Sequence, residues 1–96
     1  MTNQEINEAV ARVDGWKESK FSLKHIKVWY ARNEDYLVYV LPPYTAAYEA
    51  IIPVIQEQAN YIKILVEDLI EPDFLYDATP LQLCIALLKA TNNFKE

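Results

Sequence analysis

The sequence predicts an α+β fold in which a small antiparallel β-hairpin sheet is covered by three or four helices. An apolar stretch near the end of the chain carries the start signals of a buried helix. Apolar residues alternate with a period of two between residues 25 and 41, and helical spacing returns from residue 45. The 96 residues, 52% of them hydrophobic, are enough for one domain, residues 1–96, with a single core.

The stretch from residue 79 to residue 90 predicts the central helix. Thr79 is the expected N-cap, Pro80 occupies the first helical position, and Gln82 completes a capping box. Apolar residues also fill most of the opposite side, which is typical of a buried helix. The positions that form one continuous face are Leu81, Cys84, Ile85 and Leu88. We therefore expect this helix at the centre of the core.

A first helix is predicted from Thr2 to Gly15, with Thr2 as the N-cap and Glu5 completing a capping box. Gly15 is the only glycine of the chain and the expected end of the helix. The apolar stripe consists of Ile6, Ala9, Val10 and Val13, and the residues expected to face solvent are Asn7, Glu8, Ala11 and Arg12. One face of this helix should therefore pack on the core.

A β-hairpin is predicted between residues 25 and 41, after a polar connection over residues 17–24. Residues 33–35 form its turn, and Pro42 ends the second strand because proline cannot donate to a ladder. In the first strand alternation places Ile26, Val28 and Tyr30 on one face and Lys27, Trp29 and Ala31 on the other.

Residues 46–70 predict two helices or one bent helix, with Thr45 as the N-cap. Pro53 lies past the first turn and should kink the helix. Residues 61–66 also have the β-propensity of a strand, so a third strand is the alternative. The helical spacing that continues across this segment favours the helix.

Composition and charge disfavour several classes of protein. The net charge is −5, and residues 49–96 carry all of it, with three basic and eight acidic residues. A nucleic-acid partner is disfavoured, since phosphate contacts need a basic surface. We expect no signal peptide and no membrane span, and a single cysteine excludes an internal disulfide. These features together predict a cytoplasmic protein.

Signatures of catalysis and of metal binding are weak. His25 and Cys84 are the only histidine and cysteine, they lie on different predicted elements, and neither has ligand spacing around it. Cys84 has no basic neighbour in sequence to lower its pKa, so it is interpreted as a core residue. One glycine cannot build a phosphate-binding loop. The sequence therefore gives no catalytic residue, no cofactor and no metal site.

Aromatic residues crowd into the hairpin and the start of the next helix. They either fill the core as cross-strand pairs or leave one face exposed as a contact patch, with Trp29 near Lys27. The candidate patch consists of Trp29, Tyr36, Tyr39, Tyr44 and Tyr48. Such a patch suits a protein partner or self-association better than stacked bases, because the chain is acidic.

An acidic group follows the predicted helix that ends near residue 70. Its members are Glu67, Asp68, Glu71, Asp73 and Asp77. Carboxylates at the C-terminal end of a helix oppose its dipole, so local helix propensity does not explain them. They are interpreted as a solvated face, as a docking surface for a basic partner, or, least well supported, as a divalent-cation site.

Three segments occur in a fixed order: TNQEINEAVARVDGW at the start, LPPYT after the hairpin, and ATPLQLCIALLKA near the end. Together they resemble the phage ABA-sandwich domain family, small proteins encoded by phages, prophages and bacterial genomes. The resemblance spans Thr2 to Phe94 and implies an α/β/α sandwich-like layering and an origin in a mobile element. It implies no activity and no site residue. Many members have a strand where this chain has YIKILVEDLI, so the sheet would be smaller here.

The leading hypothesis is a non-catalytic interaction module, a phage- or prophage-like accessory protein. It would bind a protein partner or a second copy, as a homodimer, through the aromatic hairpin face or the acidic surface. The alternative is a small-molecule-binding protein or small enzyme with a pocket between hairpin and helices, lined by Tyr39, Tyr44 and Tyr48. A weaker idea is an acidic mimic of nucleic acid, for which five net charges are few.

Overall fold

The computed structural model of the chain describes residues 1–23, 26–30, 37–70 and 78–95. Within these ranges the protein is an α+β fold, as predicted. The helices are α1 (Asn3–Asp14), α2 (Tyr48–Gln56), α3 (Asn60–Leu69) and α4 (Pro80–Ala90). The strands are β1 (Lys17–Glu18), β2 (Trp29–Tyr30) and β3 (Leu37–Val38). The helices build the core, and the small sheet lies beside α1.

Helix α4 has the start and the central position that the sequence predicts. The Thr79 hydroxyl accepts the backbone N–H of Gln82, and the Gln82 side chain accepts the backbone N–H of Thr79. The helix packs against α1, α2 and α3. Its buried side chains are Leu83, Cys84, Ala86, Leu87 and Leu88. Burial on several sides explains why its sequence is apolar nearly all round.

Helix α1 begins and ends as predicted. The Thr2 hydroxyl accepts the backbone N–H of Glu5, and the Glu5 carboxylate accepts the backbone N–H of Thr2. This second bond is the main reason why the pKa of the Glu5 carboxyl lies below its ordinary value. Gly15 follows the helix with a φ of 105°, a left-handed conformation that favours glycine.

The outward face predicted for α1 is wrong at two residues. Ala11 and Glu8 are buried. Ala11 belongs to the core cluster, where its small side chain fills a close contact. Glu8 is buried because Lys27 Nζ lies 2.6 Å from its Oε1, so the buried carboxylate is paired. The helical pattern of apolar and polar residues predicts that Glu8 and Ala11 face solvent. The contacts that bury them come from other segments of the chain, so the pattern cannot show them.

Among the described residues the sheet has three antiparallel strands in the order β1-β2-β3. The predicted hairpin is present as the β2–β3 pair, with Trp29 opposite Val38. Strand β1 lies in the segment predicted as a polar connection, and it pairs Glu18 with Trp29. Two exposed residues have no alternating pattern, so sequence periodicity could not reveal β1. The predicted turn at residues 33–35 and the ends of the strands beside it lie outside the described residues.

Burial does not alternate along the first hairpin strand. Val28 and Trp29 are buried in succession, whereas Ile26 and Tyr30 are exposed. The hydroxyl of Ser22 accepts the backbone N–H of Val28. The backbone N–H of Ser19 still donates to the carbonyl of Val28, so the β1–β2 ladder continues to Val28, with the Ser22 hydroxyl in place of one backbone acceptor.

Residues 61–66 are helical, and the alternative of a third strand there is not found. Helices α2 and α3 are separated by residues 57–59, which resolves the prediction of two helices or one bent helix. The N-cap of α2 is Ala47 and not Thr45. Thr45 lies in the preceding turn, where its backbone N–H donates to Oδ1 of Asn7. Pro53 is inside α2, and the helix ends three residues later at Gln56.

The main core cluster takes buried residues from all four helices, together with Tyr44, Ile70 and Ala78. No described strand residue belongs to it. The sheet instead contacts α1 through the Lys27–Glu8 ion pair and through Arg12, whose guanidinium carbon lies 5.1 Å from the centre of the Trp29 ring. None of the described helices is long and apolar enough to cross a membrane.

Candidate interaction surfaces

The structure does not gather the predicted aromatic patch on one exposed face. Trp29 is only 2% exposed, and Tyr44 is buried in the core cluster. Tyr48 is half-buried, and its hydroxyl donates to the carbonyl of Ala78. Tyr39 alone is well exposed, at 72%, and Tyr36 lies outside the described residues. Tyr44 is therefore a core residue and Trp29 is buried beside α1, so neither offers an exposed contact surface.

Trp29 is buried because the sheet turns it towards α1. It lies on the central strand, opposite Glu18 and Val38. The Arg12 guanidinium covers its ring and also lies 3.8 Å from Oε1 of Glu18, so one cation contacts both. Sequence alternation assigned Trp29 to the face away from Val28 but could not place α1 on that face.

Tyr44 joins three parts of the fold. Its hydroxyl donates to Oδ2 of Asp14 at 2.6 Å and accepts from Nε1 of Trp16 at 3.1 Å. Its backbone carbonyl accepts the thiol of Cys84 at 3.1 Å. Burial, followed by the bond to Asp14, raises the pKa of Tyr44 above its ordinary value. The cluster connects the end of α1, the turn after the hairpin and α4, which indicates a structural role.

Among the exposed apolar residues near the hairpin, which include Leu23 and Leu37, we name Ile26, Tyr39 and Val40 the hairpin surface. Val40 is 83% exposed and Tyr39 is 72% exposed. All three line one groove, so they lie close together although fourteen positions separate Ile26 from Val40 in the sequence. Adjacent exposed apolar side chains of this size are typical of a contact site.

The groove beside the hairpin surface has a volume of about 750 Å³. Its other wall is the first half of α1, with Asn3, Gln4 and Asn7, and Trp29 also lines it. The Asn7 side chain donates to the carbonyl of Pro42 and accepts the backbone N–H of Thr45, which fixes the segment that follows Val40. Of the tyrosines predicted to line a pocket, Tyr39 does and Tyr44 and Tyr48 do not. Their polar atoms are used within the fold instead.

The acidic group is described in part. Glu67 and Asp68 are exposed in the last turn of α3. Glu71, Asp73 and Asp77 lie outside the described residues. No cluster of three or more potential metal ligands occurs in the ranges that the structure describes. The roles proposed for this group from sequence stay predictions.

Helix α3 has an exposed apolar surface that the sequence analysis missed. Four large residues on it are between 43% and 68% exposed. They are Tyr61, Ile64, Leu65 and Leu69, which we name the α3 stripe. Ile62, Val66 and Ile70 lie on the opposite side in the core. The signal was present in the sequence: α3 has more apolar residues than one buried face can hold.

Cys84 is placed where a nucleophile is not expected. Its side chain is buried, and burial raises the pKa of the thiol to about 12. His25, the other residue considered for catalysis, lies outside the described residues. Interpretation of Cys84 as a core residue therefore agrees with its position.

We expect Cys84 to resist thiol reagents in the folded protein. A pKa of about 12 against an ordinary 9.0 leaves about a thousandfold less thiolate at pH 8. The reaction with a chromogenic disulfide reagent should therefore be at least a hundredfold slower in buffer than in urea. A rate in buffer equal to the rate in urea would show that Cys84 is accessible and reactive.

Comparison of the chain with known protein families, with curated proteins and with solved structures gave no match.

Proposed function

We propose that the protein is a non-catalytic interaction module that binds a protein partner through the hairpin surface and self-associates as a homodimer. The proposal includes an accessory role in the cytoplasm and the phage or prophage origin that the resemblance of the sequence implies. The single observation that supports partner binding best is the exposure of Tyr39 and Val40 beside a groove. A partner that covers these adjacent apolar side chains removes their surface from water, and this burial favours binding.

The groove suits a partner that presents an extended apolar segment. Val40 and Tyr39 follow β3, which is an edge strand of the sheet. An edge strand offers backbone N–H and C=O groups, and neighbouring pockets select side chains. Asn3 and Gln4 on the other wall supply polar groups that can accept or donate hydrogen bonds to the same segment.

A photo-cross-linking residue at position 39 tests this proposal. We expect one discrete adduct with a protein from the source cells, and we expect Val40→Asp to abolish it without lowering the melting temperature. The matched control carries the cross-linker at the exposed position of Gln56 on α2, away from the groove. No discrete adduct at position 39, or an adduct that survives Val40→Asp, would contradict partner binding at the hairpin surface.

A small-molecule ligand is the second candidate, and the size of the groove favours it. A volume of about 750 Å³ lies within the range of ligand pockets, about 300–1,000 Å³. Such a ligand should raise the melting temperature of the wild-type protein. The Gln4→Trp variant, which narrows the groove from an exposed position on α1, should remove that shift. A metabolite screen that raises the melting temperature of neither protein would count against this candidate.

A further inference from the structure

We propose that two copies of the chain associate through α3, packed antiparallel about a twofold axis that passes near Ile64 and Leu65. This rests on the self-association proposed above and adds the surface and its geometry. The surface is the α3 stripe, which is exposed on a helix whose opposite face is in the core. Helices that present an apolar stripe in this way pack against a second helix.

The stripe is one continuous face of α3. Tyr61, Leu65 and Leu69 succeed one another at intervals of four residues, and Ile64 lies three residues after Tyr61. Asp68 is four residues after Ile64 and seven after Tyr61, so it also lies on this face and is its one charged residue. A partner for the α3 stripe must therefore offer apolar contacts and a group that stabilises the Asp68 carboxylate.

The N-terminal end of a second α3 can stabilise the Asp68 carboxylate. The N-cap, Ala59, makes no side-chain hydrogen bond to the helix, and the first turn has no acidic residue. The last turn has Asp68 and no basic residue. The N-terminus of a helix carries partial positive charge from its dipole, so a carboxylate is stabilised there and disfavoured at the C-terminus. Each α3 therefore has no carboxylate at its positive N-terminal end and has one, Asp68, at its negative C-terminal end.

Antiparallel packing of two copies places the Asp68 carboxylate of each α3 at the N-terminal end of the other α3. If the axis passes between Ile64 and Leu65, Tyr61 of one copy lies level with Asp68 of the second. The carboxylate then lies beside the first turn of the other α3, where the Tyr61 hydroxyl can donate to it. Leu69, the residue after Asp68, then lies beside the Tyr61 ring of the second copy. Parallel packing would instead bring the two Asp68 carboxylates together.

The size of the surface predicts a weak dimer. A stable interface buries about 800 Å² on each partner, about an eighth of the 6510 Å² of this chain. A helix of ten residues is only about 15 Å long, so the stripe falls short of that area. The association should therefore depend on protein concentration and not persist at high dilution.

Charge substitution at Leu65 tests the geometry, because a residue beside a twofold axis meets its own copy. We expect sedimentation equilibrium to show wild-type dimers that increase with concentration. Leu65→Asp and Leu65→Lys should each be monomeric at the same concentrations, because like charges meet at the axis. An equimolar mixture of the two variants should dimerise again. Circular dichroism establishes that both variants are folded, which is expected because Leu65 is exposed.

The outcomes separate the geometry from self-association itself. A monomeric wild type at millimolar concentration would overturn both. Wild-type dimers that persist in both Leu65 variants would overturn the α3 surface and leave self-association standing. Monomeric variants that do not dimerise when mixed would overturn the placement of Leu65 at the axis.

Asp68 provides a second test with a matched control one residue away. Asp68→Lys should weaken the dimer about fivefold, because it places a cation beside the positive end of the other helix. Glu67→Lys makes the same change of charge on the same turn, but Glu67 points about 100° away from Asp68 around the helix. Equal effects of the two substitutions would contradict the proposed contact of Asp68.

Discussion

Replacing Trp29 with alanine is expected to lower the free energy of unfolding by about 3–5 kcal/mol. The indole is 2% exposed and lies on the central strand of the sheet, beside Arg12 of α1. Its removal leaves a cavity and takes away the ring that Arg12 covers. Domains of this size are stable by only about 5–15 kcal/mol, so the variant should be close to unfolded at 37 °C. Urea unfolding followed by circular dichroism measures the change.

Tyr39→Ala is the matched control for Trp29→Ala. It also removes a large aromatic side chain near the hairpin, but Tyr39 is 72% exposed. Its stability should change by no more than about 0.5 kcal/mol. If Trp29→Ala changed stability as little as Tyr39→Ala, Trp29 would belong to a contact surface and its burial would be contradicted.

Replacing Leu87 with alanine is expected to cost about 2–5 kcal/mol. Leu87 is fully buried in α4, the helix that packs against the three others, so the cavity would open at the centre of the core. The surrounding helices can close such a cavity only in part, and the loss of packing adds to the loss of apolar burial. Denaturant unfolding monitored by the fluorescence of Trp16 and Trp29 measures this difference.

Lys89→Ala, two residues further on the exposed side of α4, is the control. It removes a charge that lies over the Phe94 ring but opens no cavity. We expect a change within about 0.5 kcal/mol. A loss of stability at Leu87 as small as the loss at Lys89 would show that α4 is not the centre of the core.

The parts of the fold that the sequence predicts well are those encoded by neighbouring residues. Thr2 with Glu5 and Thr79 with Gln82 form capping boxes because each pair lies three positions apart on one chain segment. Gly15 ends α1 for an equally local reason, its left-handed φ.

The parts that sequence could not predict depend on contacts between distant segments. Glu8 is buried where Lys27, nineteen positions away in the sequence, pairs with its carboxylate. Thr45 is removed from the helix start by the side chain of Asn7, thirty-eight positions earlier. Strand β1 is two residues long, too short for any period to show. Tertiary contacts override local preference in all three cases.

The candidate surfaces also differ in whether neighbouring residues or distant segments form them. The α3 stripe could have been found by counting the apolar residues of one helix, because residues 61–69 hold more than one face can bury. The groove could not, because residues 3–8 of α1 and residues 39–45 form its opposite walls. The burial of Trp29 likewise depends on where α1 lies, which alternation along one strand does not encode.

Small-angle X-ray scattering over a concentration series tests the central claim of self-association most directly. One copy has a mass of 11.2 kDa and a radius of gyration of 13.4 Å over its Cα atoms. The proposal predicts that the apparent mass rises towards two copies with concentration and that the radius of gyration rises with it. A mass of one copy and an unchanged radius of gyration up to millimolar concentration would contradict self-association.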